Sequence, residues 1–213
     1  MSDGLETKNK PKNRMTAIAI IAIIVIAATI VVAWQLSIKQ PTAIQSTAKQ
    51  NSATVLPPMN LTVIGANGTE LFLNQTSIAK FTSYSGYGGL VNKTGQVESF
   101  GYYTGVPILT LLNLVGGINS SQEVNVTCRD GYSTVFTYQQ VYGQGYAAYN
   151  NVTGSLVSST APFNVVLAYF YNGSVLPSGD GPLKIVLLGT GTSEGLLTKG
   201  KFWCKMVDTI EVT

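Results

Sequence analysis

The chain contains no histidine and only two cysteines, and charged residues make up 11% of its 213 positions. Without histidine, Ser-His-Asp and Cys-His catalysis are excluded. Two cysteines alone do not make a zinc site, because structural zinc takes four ligands. No phosphate-binding loop of the GK[ST] or GxGxxG kind follows a strand, so the sequence does not predict a nucleotide site.

A basic excess is also missing from most of the chain, although the net charge is +3. Residues 1–14 carry four basic and two acidic groups, and residues 37–57 add Lys39 and Lys49. Residues 58–213 hold seven basic and eight acidic residues, a net charge of −1. The sequence therefore predicts no nucleic-acid partner for this region.

One long hydrophobic run is present. Residues 15–34 are uncharged, and twenty helical residues span roughly 30 Å, the thickness of a bilayer's hydrocarbon core. Basic residues precede the run, and Trp34 lies at its outer end. The positive-inside rule then predicts a single-pass anchor over 15–36 in the cell membrane, a cytoplasmic tail over 1–14 and an extracytoplasmic C-terminal part. The alternative is a cleaved signal peptide, whose apolar core is shorter, about 7–15 residues.

Residues 37–57 are rich in Ser, Thr, Gln and Ala, which favours a flexible linker with an average reach of about 25 Å. Residues 58–213 are numerous enough for one domain with its own core. Their sequons support an extracytoplasmic location: eight occur, whereas the chain's 14 Asn and 40 Ser or Thr would give about 2.6 by chance. The predicted glycosylation sites are Asn60, Asn67, Asn74, Asn92, Asn119, Asn125, Asn151 and Asn172. The alternative is a β protein with many Asn-rich turns.

Both cysteines, Cys128 and Cys204, lie in this domain. Outside the cytoplasm such a pair is more often bridged than free, so we predict a disulfide. Closing the loop of about 76 residues between them contributes about 4 kcal/mol to the free energy of unfolding in the chain-entropy model. Two buried thiols are the alternative.

Apolar runs and alternating patterns predict a β-rich α+β domain. The expected strands are residues 59–66, 69–73, 124–129, 133–137, 163–171, 183–188 and 206–212. A helix is expected within 104–117, with Pro107 in its first turn and Gly116-Gly117 at its end. Short helical turns are expected at 74–80 and 138–142. Residues 84–101, rich in Gly and Tyr, are expected to form a loop and an edge strand.

Four stretches carry a family resemblance. They are YTGVP at 103–107 with its LL-x-x-x-G continuation, DGY at 130–132, residues 168–177 leading to GPLK at 181–184, and the final strand over 203–212. In this order and spacing they resemble the oxidoreductase molybdopterin-binding domain, the sulfite-oxidase-like fold. The resemblance implies a β-rich mixed-sheet domain that holds a pyranopterin-bound molybdenum through a cysteine thiolate.

The sequence departs from that family at the metal ligand. The catalytic branch has its cysteine before the helix that starts here at Pro107, and residues 81–103 contain none. The family's histidines are absent, and Lys184 stands where an arginine is often found. We therefore expect no bound cofactor and no metal site. Molybdopterin, with Cys128 as a remote candidate ligand, belongs to the alternative that the chain is an enzyme.

Within the family-like motifs, Tyr103, Arg129, Asp130 and Lys184 are the candidate ligand-binding residues, the two cations serving as anion contacts. The alternative gives Asp130 a role in the Asp-Gly turn and makes Arg129 and Lys184 solvated strand positions. All eleven tyrosines lie in the domain, and their clusters at 84–103 and 138–149 predict either a stacking surface for a sugar or ordinary sheet packing.

Three functions remain open from the sequence. The first is a non-catalytic membrane-tethered module that binds a small molecule or a surface protein outside the cell. The second is a molybdopterin oxidoreductase with an altered metal ligand, which a Cys128–Cys204 disulfide would contradict. The third is a structural glycoprotein of the cell envelope.

Overall fold

The computed structural model describes residues 56–158 and 162–213. The basic tail, the anchor and nearly all of the linker expected from the sequence lie outside the described residues. Within the described part, no helix has the length and apolar character needed to cross a membrane.

The first sheet has five strands in the order β2-β1-β13-β5-β6. The strands are β1 (Asn60–Ile64), β2 (Glu70–Asn74), β5 (Glu123–Cys128), β6 (Ser133–Thr137) and β13 (Val207–Val212). The pair β1–β13 is parallel, and the other neighbours are antiparallel. Tight turns at Asn67-Gly68 and Asp130-Gly131 make the two hairpins, since Gly68 and Gly131 have positive φ.

The second sheet follows the order β10-β9-β4-β3-β12, and β11 also pairs with β9. Its strands are β3 (Tyr84–Val91), β4 (Val97–Pro107), β9 (Phe163–Tyr171), β10 (Ser174–Val175), β11 (Lys184–Gly189) and β12 (Thr198–Lys199). All six residues of β11 are buried. A small ribbon joins β7 (Ala148–Tyr149) to β8 (Leu156–Val157).

The described residues contain three short α-helices, α1 (Gln75–Ile78), α2 (Ile108–Asn113) and α3 (Tyr138–Val141), and two 3₁₀ helices, Gly191–Ser193 and Gly200–Phe202. Asn74 caps α1 by accepting a hydrogen bond from the Ser77 backbone N–H, and Thr137 and Gln140 form a capping box on α3. One continuous core contains apolar residues of both sheets and of all three α-helices.

A disulfide between Cys128 and Cys204 links the two sheets, with 6.6 Å between the Cα atoms. Cys128 ends β5 in the first sheet. Cys204 lies on the segment that runs from β12 in the second sheet to β13 in the first, and its carbonyl accepts a hydrogen bond from the Ile185 N–H of β11. The predicted disulfide is therefore confirmed, and it joins the crossover between the sheets to β5.

Residues 84–101 differ from the sequence prediction of a loop and an edge strand. They form β3 and the first five of the eleven residues of β4, and β4 lies inside the sheet between β9 and β3. Glycine lowers strand propensity, but here it allows close approach: a Cβ at Gly101 would overlap the Tyr171 ring, and one at Gly105 would overlap the Leu167 carbonyl.

The helix expected within 104–117 is also shorter than predicted. Residues 104–107 complete β4, and α2 covers only Ile108–Asn113. The helix ends at Asn113, and a turn over 114–116 follows it. The predicted glycine cap is present in that turn, because Gly116 and Gly117 have positive φ and the Gly117 N–H binds the Leu112 carbonyl.

Candidate functional site

Lys184 is completely buried at the start of β11. The strand pairs with β9 from Lys184 opposite Ala168 onward, and both strands are covered on their two faces. Its Nζ lies 2.7 Å from the Asp180 Oδ2. Lys184 is thus not a solvated strand position, and the interpretation of it as one is wrong. A buried ammonium needs a partner, and Asp180 supplies it.

Asp180 serves two lysines, since its Oδ1 also lies 2.7 Å from the Nζ of Lys205. Burial acts to raise the pKa of the Asp180 carboxyl, but hydrogen bonds and charges from Lys184 and Lys205 outweigh it and hold the pKa below its usual value. Burial lowers the pKa of Lys184, and the Asp180 carboxylate partly opposes this. The arrangement is an ionised carboxylate between two cations, one buried and one exposed.

Two aromatic rings flank the buried ammonium. The Lys184 Nζ lies 5.8 Å from the Tyr103 ring centroid and 5.5 Å from that of Trp203, within the range of cation–π contacts. The two rings meet edge to face at 5.6 Å. We call Lys184, Asp180, Lys205, Tyr103 and Trp203 the Lys184 cluster.

The polar atoms of this cluster are satisfied within the protein. The Tyr103 hydroxyl donates to the Ser99 carbonyl at 2.7 Å, and the Trp203 Nε1 donates to the Thr198 hydroxyl at 2.9 Å. Burial, and then the neighbouring Tyr171 and Asp180, raise the pKa of Tyr103, so its proton stays on the phenol. Across the described residues, every buried side-chain nitrogen or oxygen has a hydrogen-bond partner.

Arg129 and Asp130 lie apart from these contacts, on the turn that follows β5. The Arg129 Nε lies 3.4 Å from the Asp208 Oδ1, and both side chains are about half exposed. The Asp130 Oδ1 accepts the Tyr132 backbone N–H at 3.0 Å, as the turn interpretation predicts. Among the four candidate residues, the structure thus brings Tyr103 and Lys184 together and gives Arg129 a different partner.

Asp208 reaches Arg129 because of an irregularity in the sheet. The register between β13 and β5 shifts between Val207 and Thr209, so Asp208 is exposed beside buried Val207. A bulge of this kind redirects a side chain that regular alternation would place elsewhere. Sequence reasoning missed Asp208 because alternation carries no signal for a bulge.

Around this ion pair, two adjoining depressions of about 340 and 390 Å³ cross strands β1 and β2. They share Asn60 and Asn74, which lie directly opposite each other in register. We call this surface the β1–β2 groove and define it by Asn60, Thr62, Phe72, Asn74, Arg129 and Asp208. The Phe72 side chain is 72% exposed, the most exposed aromatic ring among the described residues.

The tyrosines separate into buried and exposed groups. Tyr103, Tyr146 and Tyr169 belong to the core. Tyr87 and Tyr102 lie opposite each other on β3 and β4, with ring centroids 5.0 Å apart, and Phe100 stacks on Tyr87 at 6.0 Å. In the second predicted cluster, Tyr138 and Tyr142 have ring centroids 4.6 Å apart. A stacking surface for a sugar stays a prediction for both clusters.

The eight sequon asparagines all lie in the described residues, and none is buried. Asn92, Asn125 and Asn151 are partly exposed, and the other five are exposed. Several use their Oδ1 in local turns: the Oδ1 of Asn172, for example, accepts the Tyr102 backbone N–H at 2.8 Å. The surface positions are compatible with the glycosylation expected from the sequence.

The residues present do not fit a molybdopterin centre of the kind that the resemblance implies. Both cysteines of the chain are joined in the disulfide, so neither offers a thiolate. Lys184, the counterpart of the expected anion contact, is buried against Asp180. No group of three or more acidic or cysteine side chains suited to a metal ion occurs among residues 56–158 and 162–213.

No family model matches the sequence, and no curated protein matches it. Among solved structures, the fold is similar to the sulfane dehydrogenase SoxCD from Paracoccus pantotrophus, with a TM-score of 0.50 and 17% sequence identity. The match covers 72% of this chain but only 37% of the SoxCD chain. At that identity the likeness concerns the fold alone. The β-rich mixed sheets with few helices fit a sulfite-oxidase-like domain, in agreement with the resemblance of the sequence.

Proposed function

We propose that this chain is a membrane-tethered extracytoplasmic binding module, in which a sulfite-oxidase-like fold serves without a molybdenum cofactor. The observation that carries the proposal is the disulfide between Cys128 and Cys204. A sulfur in a disulfide cannot ligate molybdenum as a thiolate, and these are the chain's two cysteines. Fold similarity does not transfer a redox function when the metal ligand is missing.

Three further features support the proposal. Lys184 lies at the position where the family often has arginine. Its ammonium forms an ion pair with Asp180 and is flanked by two aromatic rings. An extracytoplasmic location suits a buried disulfide, because oxidising compartments preserve such bonds. The uncharged run at 15–34 after a basic tail supplies the anchor, and the surface sequons suit the same location.

Elemental and pterin analysis tests the cofactor-free part of the proposal. The full chain is purified from membranes of its own host without reducing agent. We expect less than about one molybdenum per ten chains and no pterin fluorescence after oxidation. Near-stoichiometric molybdenum with pterin would overturn the proposal and favour the oxidoreductase. Protease treatment of intact cells tests the location separately: residues 58–213 should be digested or shifted while a label on residues 1–14 is retained.

A structural glycoprotein of the cell envelope is the second candidate, favoured by the exposed or partly exposed positions of all eight sequon asparagines. Unlike a binding module it needs no ligand, so glycans could cover the groove without loss of function. Mass spectrometry of glycopeptides from the native protein reports which of the asparagines carry glycans. High occupancy at Asn60 and Asn74 would favour this candidate, because glycans there would cover the β1–β2 groove.

A further inference from the structure

Four neighbouring strands bring unlike side chains to the β1–β2 groove. The edge strand β2 contributes Phe72 and Asn74, and β1 contributes Asn60 and Thr62. The bulge in β13 adds Asp208, and the turn after β5 adds Arg129. The volumes of the two depressions, about 340 and 390 Å³, lie within the usual range for small-molecule sites, about 300–1,000 Å³.

The polar groups of the groove include both donors and acceptors, and their charges cancel. Arg129 and Asp208 form one exposed pair through Nε and Oδ1 at 3.4 Å. In the described part of the chain, the other guanidinium nitrogens of Arg129 and the Oδ2 of Asp208 have no further side-chain partner. These atoms, with the Asn60 amide and the Thr62 hydroxyl, can exchange hydrogen bonds with a ligand that is itself neutral and offers both donors and acceptors.

Phe72 adds a flat apolar surface beside these groups. It lies directly opposite Thr62 on the edge of the sheet, where its ring is open to solvent. A ring of this kind packs against the C–H face of a sugar, whereas hydroxyls around the sugar's edge need amide, carboxylate and guanidinium partners. A single exposed ring is too small an apolar patch for a protein interface of ordinary size.

We propose that the β1–β2 groove, with Asn60 and Asn74 unglycosylated, binds a neutral saccharide, with Phe72 as the stacking platform and Asp208, Arg129 and Asn60 as hydrogen-bond partners. A glycan on either asparagine of the native protein would overturn the inference. The inference rests on the proposed binding function and names its ligand class. Charge complementarity distinguishes it from binding of an acidic sugar, since Asp208 compensates the groove's cation at 3.4 Å.

Direct binding to oligosaccharides tests this inference. The full chain is expressed in a bacterium without N-glycosylation, so that Asn60 and Asn74 keep free amides, and is reconstituted in lipid nanodiscs. Its binding to immobilised maltotetraose, cellotetraose, mannotetraose and chitotetraose is measured by surface plasmon resonance, with a hyaluronan tetrasaccharide as the acidic comparator. We expect saturable binding to at least one neutral probe, weakened at least tenfold by Phe72→Ala and by Asp208→Asn.

Two matched variants make the result specific. Val152→Ala removes another strongly exposed apolar side chain, 84% exposed and outside the groove, and should bind as the unchanged protein does. Tyr87→Ala alters the aromatic surface on β3 and β4 and should also leave binding unchanged. Loss of binding in Tyr87→Ala with retention in Phe72→Ala would place the site on that other surface and overturn the inference.

The remaining outcomes are equally decisive. No binding to any probe, or binding only to the acidic comparator, overturns the assignment of a neutral saccharide. Molybdenum and pterin are measured on the protein from its own host, so the two proposals fail separately. A cofactor would remove the proposed function itself, whereas a cofactor-free protein without saccharide binding would remove only the inference about the groove.

Discussion

Two cation–carboxylate pairs in this domain lie in opposite surroundings. Lys184 and Asp180 meet at 2.7 Å with the lysine fully buried, whereas Arg129 and Asp208 meet at 3.4 Å with both side chains about half exposed. Water screens the exposed pair, and such pairs contribute about 0–1 kcal/mol. In the interior, removing one partner leaves an uncompensated charge and costs about 3–5 kcal/mol. The comparison indicates that the Lys184 cluster stabilises the fold, whereas the exposed Arg129–Asp208 pair contributes little to stability.

The disulfide joins the two regions, because Cys128 directly precedes Arg129 and Cys204 directly follows Trp203. We expect the double variant Cys128→Ala/Cys204→Ala to lose about 4 kcal/mol of unfolding free energy, the loop-closure contribution for a separation of 76 residues. Denaturant unfolding of the full chain in detergent, followed by far-UV circular dichroism, measures the loss. Dithiothreitol should change the denaturation midpoint of the unchanged protein and have no effect on the double variant.

Replacing the buried counter-ion is the next largest change. Asp180→Asn leaves the Lys184 ammonium buried without a carboxylate, so we expect a loss of about 3 kcal/mol in the same unfolding experiment. The matched control is Lys205→Met, which removes the exposed partner of the same carboxylate and should cost less than about 1 kcal/mol. Equal losses in the two variants would contradict the distinction between a buried and an exposed lysine.

Adding Lys184→Met to Asp180→Asn tests whether the loss of stability comes from the unpaired buried ammonium. With the buried charge also removed, we expect the double variant to recover most of the stability, about 2 kcal/mol or more, because a well-packed apolar residue often replaces a buried pair without loss. Unfolding free energies of the two single variants and the double variant form a thermodynamic cycle. Additive losses would mean that Lys184 and Asp180 are not energetically coupled.

Acid titration measures a smaller part of the same interaction. The pKa of Asp180 is lower in the folded protein than its usual 3.8, so its contribution is fully present above about pH 3.8 and is lost as the pH falls through the folded-state value. We expect the unfolding free energy of Asp180→Asn to vary less with pH in this window than that of the unchanged protein. Parallel curves would show that the carboxylate is not stabilised by its two lysines.

The smallest effect is expected at the exposed pair. Arg129→Ala should change the unfolding free energy by no more than about 1 kcal/mol, because the pair is half exposed and its distance is long. The change should shrink further in 1 M salt, where the screening length falls to about 3 Å. A loss similar to that of Asp180→Asn would mean that the exposed pair stabilises the protein as much as the buried pair does.

Much of the fold could be predicted from the sequence, because local patterns specify it. Alternation identified β1 and β5, and the Asn67-Gly68 turn identified the β1–β2 hairpin. The central position of β4 could not be predicted, because its glycines make room for Tyr171 and Leu167, which are distant in the sequence. The four smallest strands, β7, β8, β10 and β12, were missed because two residues carry no periodic signal.

The candidate site was harder to predict than the fold. The motifs identified Lys184 and Tyr103, which the structure brings within 5.8 Å, but not the carboxylate that neutralises Lys184. The GPLK segment could have pointed to Asp180, because Asp180 stands four residues before Lys184. The groove gave no such signal: Asp208 depends on a bulge, and the exposure of Phe72 depends on the position of β2 at the edge of the sheet.

The position of β1 has a mechanical consequence. Residues 56–59 lead into β1, which lies between β2 and β13. Because β1 and β13 run parallel, a force that pulls the start of β1 away from the end of β13 would load the hydrogen bonds between these strands in shear, so that many would have to break together. β13 is held in turn by β5, where Thr213 and Glu123 exchange backbone hydrogen bonds and Val207 pairs with Cys128. Such a force would therefore meet its resistance at the β1–β13 pair, in the middle of the first sheet.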